Sequence, residues 1–370
     1  MVFTSYSIGL VETQSIYCDR NYNSCFLNWD CSRLSEKNRQ RGRLLMKAAL
    51  ILKHGDRSNV VVAEHPTPEI KADEVLINVK AVGLNHLDIF VRRGMPGHKL
   101  EMPHISGGDV AGVIDKVGPD VTHLAVGDRI VIDPLINGKA LGEDMTGGLA
   151  EYVAVPAKNC IPIHDNTSFE AAASLPIAYG TAWRMLMTRG KLQEGETILI
   201  LGASGGVGTA AVQIAKLAGA TVIAAAGSDG KLEKLKELGA DHLINYNTSD
   251  FSRETWVLTG KQGADVIVDY TGKETWPKSI KACKKGGRIL TCGATTGFEA
   301  VTDLRYVWVR EMAILGSNGW EREDLETLLK LVDEKKIIPI IDRVMPIEEI
   351  QEAHRLIEER EIFGKIIMIP

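Results

Sequence analysis

An α/β fold, in which a doubly wound parallel sheet is joined to a second, mainly β unit, is what this 370-residue sequence predicts. Three observations carry that expectation. Residues 197–228 read as a short apolar strand, a glycine-rich turn, a helix and a second strand. From about Ser174 to Leu315 strand and helix patterns alternate, the arrangement of a parallel sheet covered on both faces. From Met46 to about Ala172 one strand-like run follows another, punctuated by Gly, Pro and Asp, as in a compact β unit with short turns.

In chain order, residues 1–45 stand apart. They are rich in Asn, Ser, Cys, Tyr and Arg and show neither helical nor alternating apolar periodicity, so they are expected to lie outside the fold. They lack the apolar core of a signal peptide, and Glu12, Asp19, Asp30 and Glu36 fit a transit peptide poorly. Met46-Lys47-Ala48-Ala49 opens like an ordinary amino terminus. That leaves an over-long start or a disordered tail as one reading, and a small metal knot of Cys18, Cys25 and Cys31 as another. In the β unit, strands are expected at Ala48 to Leu52, Val60 to Ala63, Glu74 to Val82, Val110 to Val117, Arg129 to Ile132 and Tyr152 to Val155. One helical turn, Asn85 to Arg92, follows Gly83.

Thr197 to Leu201 is an apolar, β-branched run bounded by Gly195 and Gly202, the pattern of a strand buried on both faces. Beyond the turn, Val207, Ala211, Ile214, Ala215 and Ala218 recur at helical spacing until Gly219 ends the helix, and Thr221 to Ala225 is the second strand. Such a βαβ unit binds dinucleotides, because N–H groups of the turn and the helix N-terminus hold a pyrophosphate. In the turn itself, Ala203-Ser204-Gly205-Gly206-Val207-Gly208, alanine replaces the first glycine of the usual G-x-G-x-x-G. Gly205 still admits a phosphate close to the backbone, and Gly208 still lets the helix lie near the strand. Strands at Val266 to Asp269 and Arg288 to Cys292 and helices at Lys231 to Leu238 and Lys273 to Cys283 continue the alternation. Residues 321–334 and 347–360 are amphipathic helices, and Gly364 to Met368 reads as a closing strand.

Composition narrows the function. A hydrophobic fraction of 45% with 25% charged residues is that of an ordinary globular protein, and a net charge of -5 argues against nucleic acid or an anionic membrane as the main partner. No apolar run reaches the roughly 18 residues of a membrane span. The cysteines, Cys18, Cys25, Cys31, Cys160, Cys283 and Cys292, lack close C-x-x-C pairs, so a reducing, cytoplasmic location is expected.

The chain from Met46 to Pro370 resembles the medium-chain dehydrogenase/reductase superfamily. The resemblance rests on Val82-Gly83-Leu84-Asn85-His86-Leu87-Asp88, Gly107-Gly108-Asp109-Val110-Ala111-Gly112-Val113, Val126-Gly127-Asp128-Arg129-Ile130, Gly147-Gly148-Leu149-Ala150-Glu151-Tyr152-Val153, Ala178-Tyr179-Gly180-Thr181-Ala182-Trp183, the glycine turn, and Leu238-Gly239-Ala240-Asp241. It implies a GroES-like catalytic domain over 46–173 and 316–370, a Rossmann NADP-binding domain over 174–315, and an active site in the cleft between them.

Within that superfamily the resemblance points to the zinc-free quinone oxidoreductases and enone reductases. A catalytic zinc needs three ligands from Cys, His or carboxylate. The matching positions here are Asn85, Gly108-Asp109 and about Ala173, and 133–147 lacks the cysteines of a structural zinc loop. An improvised site of His86, His104, Asp109 and Glu151 is the alternative. The second strand of the βαβ unit ends at Ala226-Gly227-Ser228, without the acid that NAD-preferring domains carry there. The resemblance assigns Lys231 and Tyr246 to a 2′-phosphate, so NADP(H) is expected ahead of NAD(H), with Asp229 as a substitute acid in the opposite reading. The cofactor set is completed by Ser204, Gly205, Gly206, Val207, Gly208, Gly227, Ser228, Gly293, Ala294, Gly316 and Ser317.

The expected reaction is hydride transfer to a quinone or an α,β-unsaturated carbonyl without a metal, with Asn85 as the candidate catalytic donor or, equally, an amide that holds its turn. Asp88 is expected to order that turn, and Arg92 and Arg93 to line the cleft or be solvated. An alcohol or aldehyde dehydrogenase of the same superfamily, and a nucleotide-binding protein with vestigial activity, are the alternatives. A small-molecule substrate and a homodimer paired through the sheet edge near Val309 to Leu315 complete the expectation.

Overall fold

The structure is a computed structural model that describes residues 44–370 except Pro96 and His98. The expectations for 1–45, including those for Cys18, Cys25 and Cys31, lie outside the described residues apart from Leu44 and Leu45. The chain enters through β1 (Leu45–Ile51), which pairs antiparallel with β2 (Val60–Pro66). β3 (Glu74–Gly83), β4 (Asp109–Val117) and β5 (Arg129–Ile132) follow. After a short ladder of β6 (Leu135–Ile136) and β7 (Lys139–Ala140) come β8 (Tyr152–Pro156) and β9 (Cys160–Pro162). The parallel sheet is then built from β10 (Thr197–Leu201), β11 (Thr221–Ala226), β12 (His242–Asn245), β13 (Ala264–Val268), β14 (Cys283–Thr291) and β15 (Ala313–Gly316). Its order is β12-β11-β10-β13-β14-β15, so the direction of winding reverses between β10 and β13.

The last strands return to the first sheet. β16 (Ile341–Pro346) and β17 (Lys365–Ile369) pair with each other, and β17 joins β3 through Met368 and Ile367 against Val82 and Gly83. The resulting order is β16-β17-β3-β4-β5-β9, with β8 also on β3. This return brings the carboxyl-terminal strand against both the start of the helix His86–Arg93 and the glycine turn of the other sheet.

Ile198, Leu199, Ile200 and Leu201 are all buried, as a strand covered on both faces requires. One apolar cluster runs through both halves of the molecule. It joins Ala81, Ala111 and Val131 to Ile198, Ile200, Val266 and Val268, and it also takes in Leu325, Leu328 and Leu329 of the helix Arg322–Asp333. The two sheets are therefore joined by continuous apolar packing.

Several elements differ from the sequence reading. β14 begins at Cys283, not Arg288, and the preceding helix stops at Ala282. Glycine explains the extension, because a Cβ on Gly287 would stand 2.9 Å from Asp265 O. The four-residue strand β12, of which only Ile244 is fully buried, has no long apolar run to announce it, and neither have the helices Phe251–Leu258 and Leu304–Val309, whereas β15 falls in the sheet edge expected near Val309 to Leu315. Among the described residues no helix is long and apolar enough to cross a membrane.

Candidate active site

The residues expected to hold a dinucleotide stand directly beyond the carboxyl ends of the parallel strands, where ligands of such sheets bind. β10 leads into Gly202, at φ 63°, and then Gly205, the N-cap of the helix Gly206–Leu217. A glycine N-cap has no side-chain oxygen, so the first N–H groups of that helix are left for an anion. A Cβ on Gly205 would meet only Gly202 O, at 3.8 Å, so the turn is open there. A Cβ on Gly208 would stand 2.5 Å from the carbonyl carbon of Ala203, so this glycine is what lets the helix lie on β10. Ser204, Gly206 and Val207 are half-buried along the same rim.

Beyond β11 the chain runs from buried Ala226 to half-buried Gly227 and exposed Ser228. The Tyr246 hydroxyl, past the end of β12, lies 3.1 Å from where a Cβ on Gly227 would be, and Asn247 Nδ2 donates to Gly227 O at 2.7 Å. Ser228 is the N-cap of the helix Asp229–Glu237, and its hydroxyl caps no N–H. Lys231 extends from that helix to donate to Arg360 O at 2.5 Å, so the two halves of the molecule meet here. Burial pushes the Lys231 ammonium below its ordinary value, opposed by Asp342 and reinforced by the charges of Arg360 and Lys234. Asp229 is engaged elsewhere, accepting from Asn245 Nδ2 at 2.7 Å.

At the other end of the sheet, an added Cβ on Gly293 would meet nothing nearer than 3.9 Å, and on Gly316 nothing within 4 Å. Ala294 follows Gly293. Ser317, only 9% exposed, has a hydroxyl with no hydrogen-bond partner, a buried polar atom that a ligand amide or hydroxyl can satisfy.

The reacting end faces this sheet from the β unit. Asn85 precedes the helix His86–Arg93, and Asp88 Oδ2 accepts its backbone N–H at 2.8 Å while Asp88 Oδ1 accepts that of Gly107 at 2.8 Å. Asp88 thus orders both the Asn85 turn and the loop leading to Asp109. Burial pushes its carboxyl up to about 6, against the Asn85 N–H bond and the Lys365 charge, which lower it. The Asn85 amide donates to Asp109 Oδ2 at 2.8 Å and Gly83 O at 3.3 Å, which engages both of its hydrogens. Its Oδ1 accepts from Lys365 Nζ at 2.6 Å, and the same ammonium donates to Asp109 Oδ2 at 2.9 Å. Lys365 is 2% exposed and Asp109 0%. Ala173 belongs to the same convergence, since a Cβ on Gly83 would stand 2.2 Å from Ala173 O and 3.1 Å from Asp109 Cβ.

The other candidates are structural here. His104 Nε2 lies 3.1 Å from Gly142 O, and Glu151 accepts the Lys47 N–H at 2.7 Å. Among the described residues no three His, Cys, Asp or Glu side chains converge as metal ligands do. Arg92 is buried against Glu358, His354 Nδ1 and Gly55 O, while Arg93 reaches the same Glu358, so the pair clamps the helix Ile350–Glu358. Sequence reasoning passed over Lys365 and Arg360. In the sequence Lys365 is only a lysine opening an otherwise apolar strand, which does not by itself mark a buried site.

Comparison with known proteins decides the family. The chain matches the family described as alcohol dehydrogenase GroES-like domain over residues 71–165 and the one described as zinc-binding dehydrogenase over 206–334. A 2-methylene-furan-3-one reductase of Solanum lycopersicum is 37% identical over 318 residues, covering 85% of this chain and 74% of that protein. The chain belongs to the medium-chain dehydrogenase/reductase superfamily. It is an oxidoreductase of that superfamily. The quinone oxidoreductase of Rattus norvegicus is 29% identical over 341 residues, covering 89% of this chain and 99% of that protein. A solved NAD-dependent alcohol dehydrogenase superposes with a TM-score of 0.85 at 41% identity, covering 88% of this chain and all of that one.

Proposed function

We propose that this oxidoreductase transfers hydride from NADPH to a quinone or an α,β-unsaturated carbonyl without a metal. The observation that carries the reading is the Lys365 ammonium, hydrogen-bonded to Asn85 and Asp109 at the positions where zinc-dependent members hold their metal. A buried ammonium repels a second cation, and Asn85, Gly108 and Ala173 supply neither thiolate nor imidazole. The donor set does not fit a catalytic zinc.

The dinucleotide fits better. The uncapped N-terminus of Gly206–Leu217 suits its pyrophosphate, and the open glycines Gly293 and Gly316 with the orphaned Ser317 hydroxyl suit its nicotinamide end. The charges of Arg360 and Lys234 act on Lys231, against that of Asp342, and a 2′-phosphate beside Lys231 would favour its ammonium. Asp229, the acid that would favour ribose hydroxyls, is held by Asn245. Since a close structural relative is named for NAD, the cofactor preference is the first thing to measure.

When bound, the reduced nicotinamide supplies the hydride. The chain orients it, through the turn and the loops after β14 and β15. A hydride reaching the β-carbon of an enone sends the C=C electron pair toward the carbonyl oxygen, and water then protonates the α-carbon. That delocalised anion needs less help than an alkoxide, which suits a site where both Asn85 N–H groups and the Lys365 ammonium are already engaged with the protein. The relatives named as a furanone reductase and a quinone oxidoreductase support this substrate class. The test is a steady-state screen of NADPH and NADH oxidation with quinones, alkenals and aldehydes. Turnover of quinones or alkenals with NADPH is expected, and turnover confined to saturated aldehydes would reject the reading.

The same reading includes a homodimer. β15 is the edge strand of its sheet, and in the segment that leads into it Phe298, Val301, Leu304, Trp308 and Val309 are exposed, with Phe298 at 87% and Trp308 at 62%. Two copies related by a twofold axis can pair these edges and cover those side chains.

A further inference from the structure

Lys365 does more in this structure than pair with Asp109. Its backbone continues the strand contact made by Gly364, whose N–H donates to Ser204 O at 2.9 Å and which bridges to Gly205 in the glycine turn. Its stem then crosses Gly206, where an added Cβ would stand 2.8 Å from Lys365 Cδ and 3.5 Å from Cγ. Its ammonium ends on Asn85 Oδ1 and Asp109 Oδ2. The remaining Asp109 oxygen accepts the Ile177 N–H at 2.8 Å, and the next residue, Ala178, has its Cβ 3.3 Å from the same point on Gly206. The contacts close a ring from the pyrophosphate turn to the reacting end and back.

We propose that Lys365 is a positioning residue for the reacting end of the cleft. Its ammonium fixes the Asn85 carboxamide, and its stem, seated on Gly206, ties that amide to the turn that holds the dinucleotide. Gly206 is then glycine for a reason separate from the phosphate, since any side chain there displaces the lysine. An amide whose oxygen accepts from an ammonium and whose nitrogen donates to a carboxylate has one orientation only, because rotating it by 180° would set its N–H₂ against the ammonium. A buried lysine ordinarily costs stability, and here the cost is offset by two short hydrogen bonds that also specify a geometry. The proposal uses the reductase reading only for its kinetic readout.

The test is a double-mutant cycle. Lys365→Met would strand the Asp109 charge, so Lys365→Met is combined with Asp109→Asn, and folding is checked by circular dichroism. Asn85→Ala is then made in the wild-type and in this paired background, and NADPH oxidation with 1,4-naphthoquinone is measured. If Lys365 acts through Asn85, kcat falls by roughly tenfold in the paired variant relative to Asp109→Asn alone, and adding Asn85→Ala changes it by less than about twofold. A full, undiminished Asn85→Ala effect in both backgrounds overturns the proposal. A second readout needs no turnover: the Asn85 side-chain amide resonance, assigned by its loss in Asn85→Ala, should move in Gly206→Ala with no cofactor present. If wild-type protein fails to oxidise NADPH when quinones or enones are supplied, the reductase reading fails alone, and this resonance decides the proposal. An unmoved resonance overturns it.

Discussion

On the nucleotide side of the cleft, the turn from Gly202 to Gly208 and the pair Gly227-Ser228 are each set by one βαβ segment. On the reacting side, Asn85 meets a lysine 280 positions away, and Asp109 meets the same lysine across 256. The first arrangement is local and follows from strand, turn and helix geometry alone. The second exists only after β17 has returned to β3, so it depends on the whole topology. One chemistry is thus divided between a part encoded in thirty residues and a part encoded in the fold.

The largest effect should come from breaking the local side. In Gly208→Val the new side chain meets the Ala203 backbone at 2.5 Å, and neither the strand nor the helix can yield. NADPH binding, followed by the fluorescence of the bound nicotinamide, should weaken by roughly a hundredfold or more. Unchanged binding would show that the dinucleotide does not use this turn.

Next comes the choice of cofactor. Lys231→Ala removes a charge-assisted bond of about 1.5 to 3 kcal/mol, so NADPH affinity should fall roughly tenfold or more while NADH affinity stays nearly constant. The loss should shrink at high salt. Equal weakening of both cofactors would return Lys231 to a structural role, holding Arg360 O.

How much of this was legible in the sequence follows the same division. Thr197 to Leu201 and Thr221 to Ala225 were legible because a strand buried on both faces is written as an apolar run, and β10 and β11 match them to within one residue. Asn85 was found through the family resemblance, which places it where zinc-dependent members carry a metal ligand, while Gly83 marked only the helical turn it opens. Its engagement was not legible, because nothing near residue 85 announces Lys365. A lysine at the start of Lys365–Ile369 reads as a solvated strand end until the strand is known to be central. β12 was missed for a related reason: only Ile244 of its four residues is fully buried, and its pairing with β11, not its composition, makes it a strand.

A pH profile sharpens the reacting side. Asp88 is pushed from an ordinary 3.8 up to about 6 by burial, so the folded protein holds this proton more tightly than the unfolded chain does. The group therefore costs stability above about pH 6 and costs nothing below about pH 4, with stability from this source falling as pH rises between them. Protonation also weakens Asp88 as an acceptor for Asn85 and Gly107. Turnover should accordingly decline on the acid side near pH 6, severalfold by about pH 5, and Asp88→Asn should flatten that limb. The same limb in the variant would assign it to another group.

The smallest effect belongs to the sheet edge, away from both sides of the cleft. Trp308→Glu should shift sedimentation toward a monomer while turnover per chain stays within about twofold, since the site is complete within one chain. A wild-type protein that already sediments as a monomer would remove the dimer from the account.

The most direct measurement follows a label. Protein dialysed against a chelator and found free of zinc is given NADPH carrying deuterium at C4 and an alkenal. Deuterium on the β-carbon of the saturated product, at an undiminished rate, is the result expected of a metal-free reductase. Transfer that stops on dialysis and returns with added zinc, or a label found only on the carbonyl carbon of an alcohol product, would contradict it.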